Sequence, residues 1–243
     1  MVASAPIQRR PLSRARVSAS VSQEPLPSAT VIITRDVENG LEVLLLQRTP
    51  RKPGDRRAPW VFPGGKVEAV DRSSKDDPVA TGRRAAVREV LEESGLKIDP
   101  ETLLPISRWI TPEISPKRFD TLFFLTQLED RQEVEVDGVE IERYDWMQPE
   151  AALARSQAGE ISLAPPTFVT ISWLETFPDG AAAREALARH SLLTFRPQIC
   201  RTEEGTCMLY PGDAGYEEGD PGREGARHRL WALETGWRYE RDT

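Results

Sequence analysis

The chain has 243 residues, a formal net charge of −7 and a pI near 5.1, with 39% hydrophobic and 29% charged residues. That length holds one good-sized domain with an appendage, or two small ones, and the composition suits a soluble protein with a packed core. The acidic balance argues against sequence-independent nucleic-acid binding, which depends on Lys and Arg neutralising phosphates. The longest apolar runs, Val43–Leu46 and Leu122–Leu125, fall well short of the roughly 18 residues of a membrane span.

Residues 1–27 are rich in Ser, Ala and Pro, carry Arg9, Arg10, Arg14 and Arg16, and hold no acid before Glu24. This reads as a solvated tail on a cytoplasmic protein, with a transit-like peptide and an organellar location as the alternative. From Ser28 the texture changes. Ala29–Thr34 is a β-branched run, Glu38-Asn39-Gly40 is turn chemistry, and Leu41–Gln47 reads as the second arm of a hairpin. An Arg- and Pro-rich loop leads to Trp60-Val61-Phe62 and then Pro63-Gly64-Gly65. Asp77-Pro78 predicts an N-cap followed by a proline in the first turn, and Gly95 a left-handed stop after Ser94.

Strands are expected at Ile106–Ile110, Phe119–Gln127 and Val134–Trp146, and helices at Pro149–Ala158, Pro166–Thr176 and Ala181–His190. The final residues return to strand-like runs at Leu192–Cys200, Thr206–Tyr210, His228–Leu233 and Trp237–Arg241, around a Gly- and Asp-rich loop. The expected organisation is a tail over 1–27, a main domain over 28–190 and a small β-rich extension over 191–243, in a mixed α+β or α/β/α class. Cys200 and Cys207 are the only cysteines, and His190 and His228 the only histidines. Their spacing matches no common zinc pattern, a single disulfide is conceivable, and a reducing compartment is the expectation.

The chemistry concentrates in Arg88-Glu89-Val90-Leu91-Glu92-Glu93-Ser94-Gly95-Leu96. On a helix, Glu89, Glu92 and Glu93 fall on one face at i, i+3 and i+4, while Val87, Val90 and Leu91 are expected to enter the core. Three like charges on one turn repel, and a hard divalent cation such as Mg²⁺ or Mn²⁺ removes the conflict. Arg88 stands at i−4 to Glu92 and can fix its rotamer. An ordinary exposed acidic helix is the bland alternative. Gly64-Gly65 weighs against it by offering a backbone that can approach a metal or phosphate closely.

These residues resemble the box of the Nudix hydrolase family, G-x5-E-x7-R-E-U-x-E-E-x-G-U with U apolar. The half from Arg88 to Leu96 matches at every fixed position. The other half departs: Gly65-x5 leads to Asp71 rather than Glu, and sixteen residues rather than seven separate Asp71 from Arg88. The stretches Val43–Arg48, Val61–Gly65, Trp109-Ile110-Thr111-Pro112 and Arg118-Phe119-Asp120-Thr121 are further similar to the acyl-coenzyme A diphosphatase branch.

The resemblance implies an α/β/α sandwich with a mixed sheet and a Mg²⁺- or Mn²⁺-dependent hydrolase that cleaves the diphosphate of coenzyme A or an acyl-coenzyme A. ADP-ribose or another nucleotide sugar is the alternative substrate, and Pro112 keeps that reading open. A catalytically silent nucleotide-binding regulator is the alternative of another class, disfavoured by the retained carboxylates. Glu92 and Glu93 are implied metal ligands, and Glu89 a third ligand or the general base. Gly65 would contribute its carbonyl, Glu68 a weaker carboxylate, and Arg88 orientation. Glu140 is a remote candidate, with an inward–outward strand position as its plainer reading. Arg48, Arg51, Lys52, Arg56 and Arg57 form a basic loop that could clamp outlying phosphates, and Arg118 and Asp120 are substrate-pocket candidates. The expected partner is a small nucleotide, with no nucleic acid and no membrane. Oligomeric state is open, a homodimer being one option.

Overall fold

The computed structural model describes residues 24–50, 58–73, 77–128 and 132–242. Strands β1 (Leu26–Val37) and β2 (Gly40–Arg48) form the expected hairpin, with Val37 opposite Gly40 and a two-residue turn between them. Gly40 takes φ +126°, a conformation that L side chains rarely adopt. The first strand starts earlier than Ala29, because Leu26 and Pro27 already pair with Phe119 and Asp120.

β1 and β2 are central to an eight-stranded mixed sheet. The order is β3 (Trp60–Val61), β2, β1, β6 (Phe119–Gln127), β5 (Leu104–Ile110), β8 (Leu193–Phe195). In addition β4 (Gly64–Lys66) pairs with β1, and β7 (Ile141–Met147) with β2. β1–β6 and β5–β8 are parallel pairs, and the others are antiparallel. Alternation along the strands divides two cores. Val31, Ile33, Leu44, Leu46 and Phe124 face one side with Ala85, Ala86 and Val90 of α1 (Pro78–Ser94). Ile32, Val43, Leu45, Phe123 and Leu125 face the other, against α2 (Pro149–Gln157), α3 (Pro165–Leu174) and α4 (Gly180–Ala188). The α/β/α layering is therefore present.

A second sheet, all antiparallel, runs β12 (Gly236–Arg241), β11 (His228–Leu233), β10 (Thr206–Leu209), β9 (Gln198–Arg201). It starts at Gln198 rather than near 191, because Leu193–Phe195 joins the first sheet as β8. The single strand expected over Leu192–Cys200 breaks at Arg196-Pro197, where proline lacks the N–H a ladder needs. The sheets share one core: Phe195 stacks on Trp109 with centroids 3.9 Å apart, and Tyr210 meets both rings edge-on. Cys200 and Cys207 are register partners across β9 and β10, and both are free thiols.

The strand expected over Val134–Trp146 is a strand only from Ile141. Asp137 accepts hydrogen bonds from the amides of Val139, Glu140 and Ile141, which folds the segment before it into a turn. Val139 points outward, 76% exposed, instead of packing inward. No helix among the described residues is long and apolar enough to cross a membrane.

Candidate active site

Helix α1 begins and ends where its caps require. The Asp77 carboxylate accepts from the Ala80 amide, Pro78 opens the first turn, and Gly95 closes the helix at φ +70°. Its core stripe runs through Gly82, Ala86 and Val90, and the same stripe continues onto Glu93. Glu93 is consequently buried, at 6% exposure, where a position among exposed carboxylates was expected. Leu91 lies on the outer face and is 48% exposed, contrary to its expected place in the core.

Gly64 and Gly65 form an ordered edge strand rather than a loose loop, opposite Thr30 and Ala29 of β1. A Cβ on Gly64 would sit 2.3 Å from the Ala29 carbonyl oxygen, so only glycine permits this pairing. The Gly64 amide donates to Glu93 Oε2 at 2.8 Å. A Cβ on Gly65 would sit 2.3 Å from Glu89 Oε1, which places the bare backbone directly against that carboxylate.

Arg88 organises the rest. Its guanidinium donates to Glu89 Oε1 and Glu92 Oε2, each at 3.0 Å, and to the Lys66 carbonyl at 2.9 Å. It also donates to both carboxylate oxygens of Asp71, at 3.2 and 2.9 Å. Asp71 is thus neither displaced nor idle: it is buried and also accepts from the Glu68 amide at 2.8 Å. Burial pushes the Asp71 carboxyl up, but hydrogen bonds from Arg88 and Glu68 and the charges of Arg88 and Arg84 outweigh it. The net shift is downward, and the carboxyl stays ionised opposite Arg88. Glu68 itself is exposed at the start of a short 3-10 turn, where its amide donates to the Asp71 carboxylate.

Burial raises the Glu93 carboxyl to about 7, helped by the Glu89 and Glu140 charges and opposed by the Gly64 amide and Arg48. Glu89 is also raised, first by burial and then by Glu92 and Glu140, against the pull of Arg88. Glu140 therefore belongs to this electrostatic group, although it sits in a turn and not on a strand face. Arg48 reaches it at 3.4 Å. Among the described residues no three acids, cysteines or histidines stand close enough to close around a metal ion as held here. Arg88 holds Glu89 and Glu92 through one guanidinium nitrogen, while the Gly64 amide holds Glu93 apart from them. The donor set nonetheless fits a hard divalent cation: two raised carboxylates, an exposed third at Glu92, and a backbone stripped of side chains at Gly65.

The other candidates lie elsewhere. Arg56 and Arg57, with Arg51 and Lys52, fall outside the described residues. Arg118 is buried and donates to the Thr111 carbonyl, and Asp120 pairs with Arg108 across β5 and β6. Phe119, between them, lines a pocket of about 510 Å³. Sequence reasoning gave no sign of that pocket, because its lining comes from segments far apart in the chain.

Gly65→Ala tests the close approach. Its methyl must displace the Glu89 carboxylate, and misplacement of a reacting group by about 1 Å can lower turnover by about 10²-fold. Steady-state kinetics on the variant should show that loss while far-UV circular dichroism stays that of the wild type. Unimpaired turnover would show that Glu89 need not hold this position.

The family model for the NUDIX domain matches residues 24–165, more than half of the chain. The chain is 32% identical over 131 residues to the acyl-coenzyme A diphosphatase NUDT19 of Xenopus laevis, covering 51% of this chain and 34% of that protein. It is 28% identical over 154 residues to the putative nudix hydrolase 7 of Caenorhabditis elegans, covering 49% and 51%. The match thus spans about half or less of these curated relatives. Among solved structures, a NUDIX hydrolase from Alicyclobacillus acidocaldarius superposes with a TM-score of 0.57 at 24% identity, covering 70% of this chain and 98% of that one. The fold, the box around Arg88 and the domain match together establish that this chain belongs to the Nudix family.

Proposed function

We propose that the protein is a divalent-metal-dependent hydrolase that cleaves the diphosphate of coenzyme A or an acyl-coenzyme A. The observation that carries the reading is the convergence of Glu89, Glu92 and Glu93 on one end of α1, two of them held by Arg88 and the third by the Gly64 amide. Glu92 and Glu93 would hold the cation, with Glu89 as a third ligand or as the general base, and with the Gly65 carbonyl and Glu68 as further contributors. When bound, Mg²⁺ or Mn²⁺ would polarise the phosphoryl oxygens and make a bound water easier to deprotonate.

The chain's own residues supply position and proton handling. Asp71 holds Arg88, and Arg88 fixes the rotamers of Glu89 and Glu92, so the carboxylates face the substrate in one arrangement. Burial and like charge raise the Glu89 carboxyl, which makes it a better proton acceptor than an ordinary carboxylate. Water adds to one phosphorus of the diphosphate and the bond to the bridging oxygen breaks. With coenzyme A the products are 3′,5′-ADP and 4′-phosphopantetheine.

The coenzyme A assignment is supported by the relatives named acyl-coenzyme A diphosphatase in Xenopus laevis and Homo sapiens. It is supported too by the cationic run from Arg48 to Arg57 directly before the Gly64 turn. The test is kcat/KM for coenzyme A, dephospho-coenzyme A and ADP-ribose. Coenzyme A should lead, dephospho-coenzyme A should show a higher KM, and Arg56→Glu with Arg57→Glu should erase most of that gap. Brisk ADP-ribose turnover with none of coenzyme A would replace this substrate with a nucleotide sugar. Equal values for the two coenzyme A forms would remove the arginine clamp.

A further inference from the structure

The pocket of about 510 Å³ lies between the two sheets, on the face of β1 and β6 opposite α1. Trp109, Phe119 and Phe123 line it from the first sheet and Ile199, Met208 and Tyr210 from the second sheet and its edge. Among the described residues on its lining none is charged, and the polar groups are hydroxyls such as those of Thr30, Ser115 and Thr121. Size and lining are those of a small-molecule site, mostly apolar with a few polar groups. Ile114, also on the lining, is 69% exposed, so the apolar surface continues outward.

Two observations connect this pocket to the reaction. Thr30 lines it and is also the register partner of Gly64, whose amide holds Glu93. The pocket therefore begins one strand, about 5 Å, from the Gly64 backbone, with the carboxylates of α1 beyond it on the other face of the sheet. Its far wall, from Pro197 to Tyr210, lies outside the matched domain at 24–165, so this chain builds it from its own C-terminal sheet.

We infer that this pocket receives the uncharged acyl-pantetheine end of the substrate, with the C-terminal sheet as the wall that selects acyl length. The inference rests on the coenzyme A reading above. Diphosphate and 3′-phosphate are too strongly charged to enter a lining with no cation. The pantetheine arm has the complementary character: methyl groups and methylenes, with amide and thioester carbonyls for hydroxyls such as those of Thr30, Ser115 and Thr121. It leaves the diphosphate near Thr30, and the acyl chain runs on towards Ile199 and Met208.

The experiment uses the full chain and S-acetyl-, S-butyryl- and S-hexanoyl-pantetheine, which lack the diphosphate and report on the pocket whether or not coenzyme A is hydrolysed. Calorimetric affinity should rise about fourfold per added methylene while the chain still finds room. Met208→Trp, which fills the wall, should bring hexanoyl affinity down to that of acetyl, and Met208→Leu, close in volume, should retain the dependence. Absence of binding, or affinities independent of chain length, would overturn the inference. So would Met208→Trp weakening ADP in place of the acyl probes, which would assign the pocket to the nucleoside end. Binding of the probes without any coenzyme A hydrolysis would instead refute the reaction proposed above and leave the pocket assignment standing.

Discussion

Glu93→Gln is expected to lower kcat by at least about 10²-fold while the protein stays folded. An amide oxygen can still accept from the Gly64 amide at the position Glu93 Oε2 holds now, so the local backbone has no reason to move. What disappears is an anionic ligand for the proposed cation, and metal-borne charge stabilisation is worth several kcal/mol, or about two or more powers of ten in rate. The stability readout separates this from unfolding. The folded carboxyl titrates at about 7, above its usual 4.5, mainly through burial and then through Glu89 and Glu140, with Gly64 and Arg48 opposing. A raised carboxylate destabilises the fold once ionised: the penalty is absent below pH 4.5 and complete above about pH 7. In metal-free wild type, stability from this group should fall as pH rises through that window, and Glu93→Gln should lack the fall. Turnover near the wild-type rate would remove Glu93 from the reaction.

Asp213→Ala should cost about 3–5 kcal/mol, because it leaves a guanidinium buried without its counter-charge. Asp213 and Arg229 are almost wholly inaccessible, with side-chain exposures of 0% and 3%, and meet through two hydrogen bonds of 2.7 Å. Asp213 also accepts from the His228 and Gly215 amides, tying the Gly-rich loop to β11. Burial pushes its carboxyl up, but Arg229 and those two amides outweigh the effect and hold it below the usual value. Its contribution is thus complete above pH 3.8 and fades only as pH falls through the lowered folded value. Calorimetry at neutral pH should show a melting temperature lower by about 10 °C or more. An unchanged melting temperature would mean the second sheet is not held by this pair. Asp213→Leu with Arg229→Met should be milder than the single change, since no lone charge remains.

What the sequence made legible follows from where local rules operate. Asp77-Pro78 and Gly95 bounded α1 because caps act within a turn, and the Leu41–Gln47 run declared β2 through its composition. The burial of Glu93 was hidden by a helix stripe that ends on a carboxylate rather than on an apolar residue. The Val134–Glu140 segment alternates like a strand, but one side chain, Asp137, captures three amides and turns it. Asp71 looked misplaced because spacing along the chain was broken, yet in space Arg88 donates to both of its carboxylate oxygens. The pocket drew on residues 30, 109–123 and 197–210, which no window along the chain can connect. The basic residues Arg56 and Arg57 lie outside the described residues, so their part in the account rests on the substrate comparison.

The most direct test of the central claim is a titration of coenzyme A hydrolysis against divalent metal, with products resolved by chromatography. 3′,5′-ADP and 4′-phosphopantetheine should appear in equal amounts with Mg²⁺ or Mn²⁺, disappear in EDTA, and return when the metal is restored. Hydrolysis that continues undiminished in EDTA, or no cleavage of coenzyme A, acyl-coenzyme A, ADP-ribose or any other nucleotide diphosphate with either metal, would contradict it.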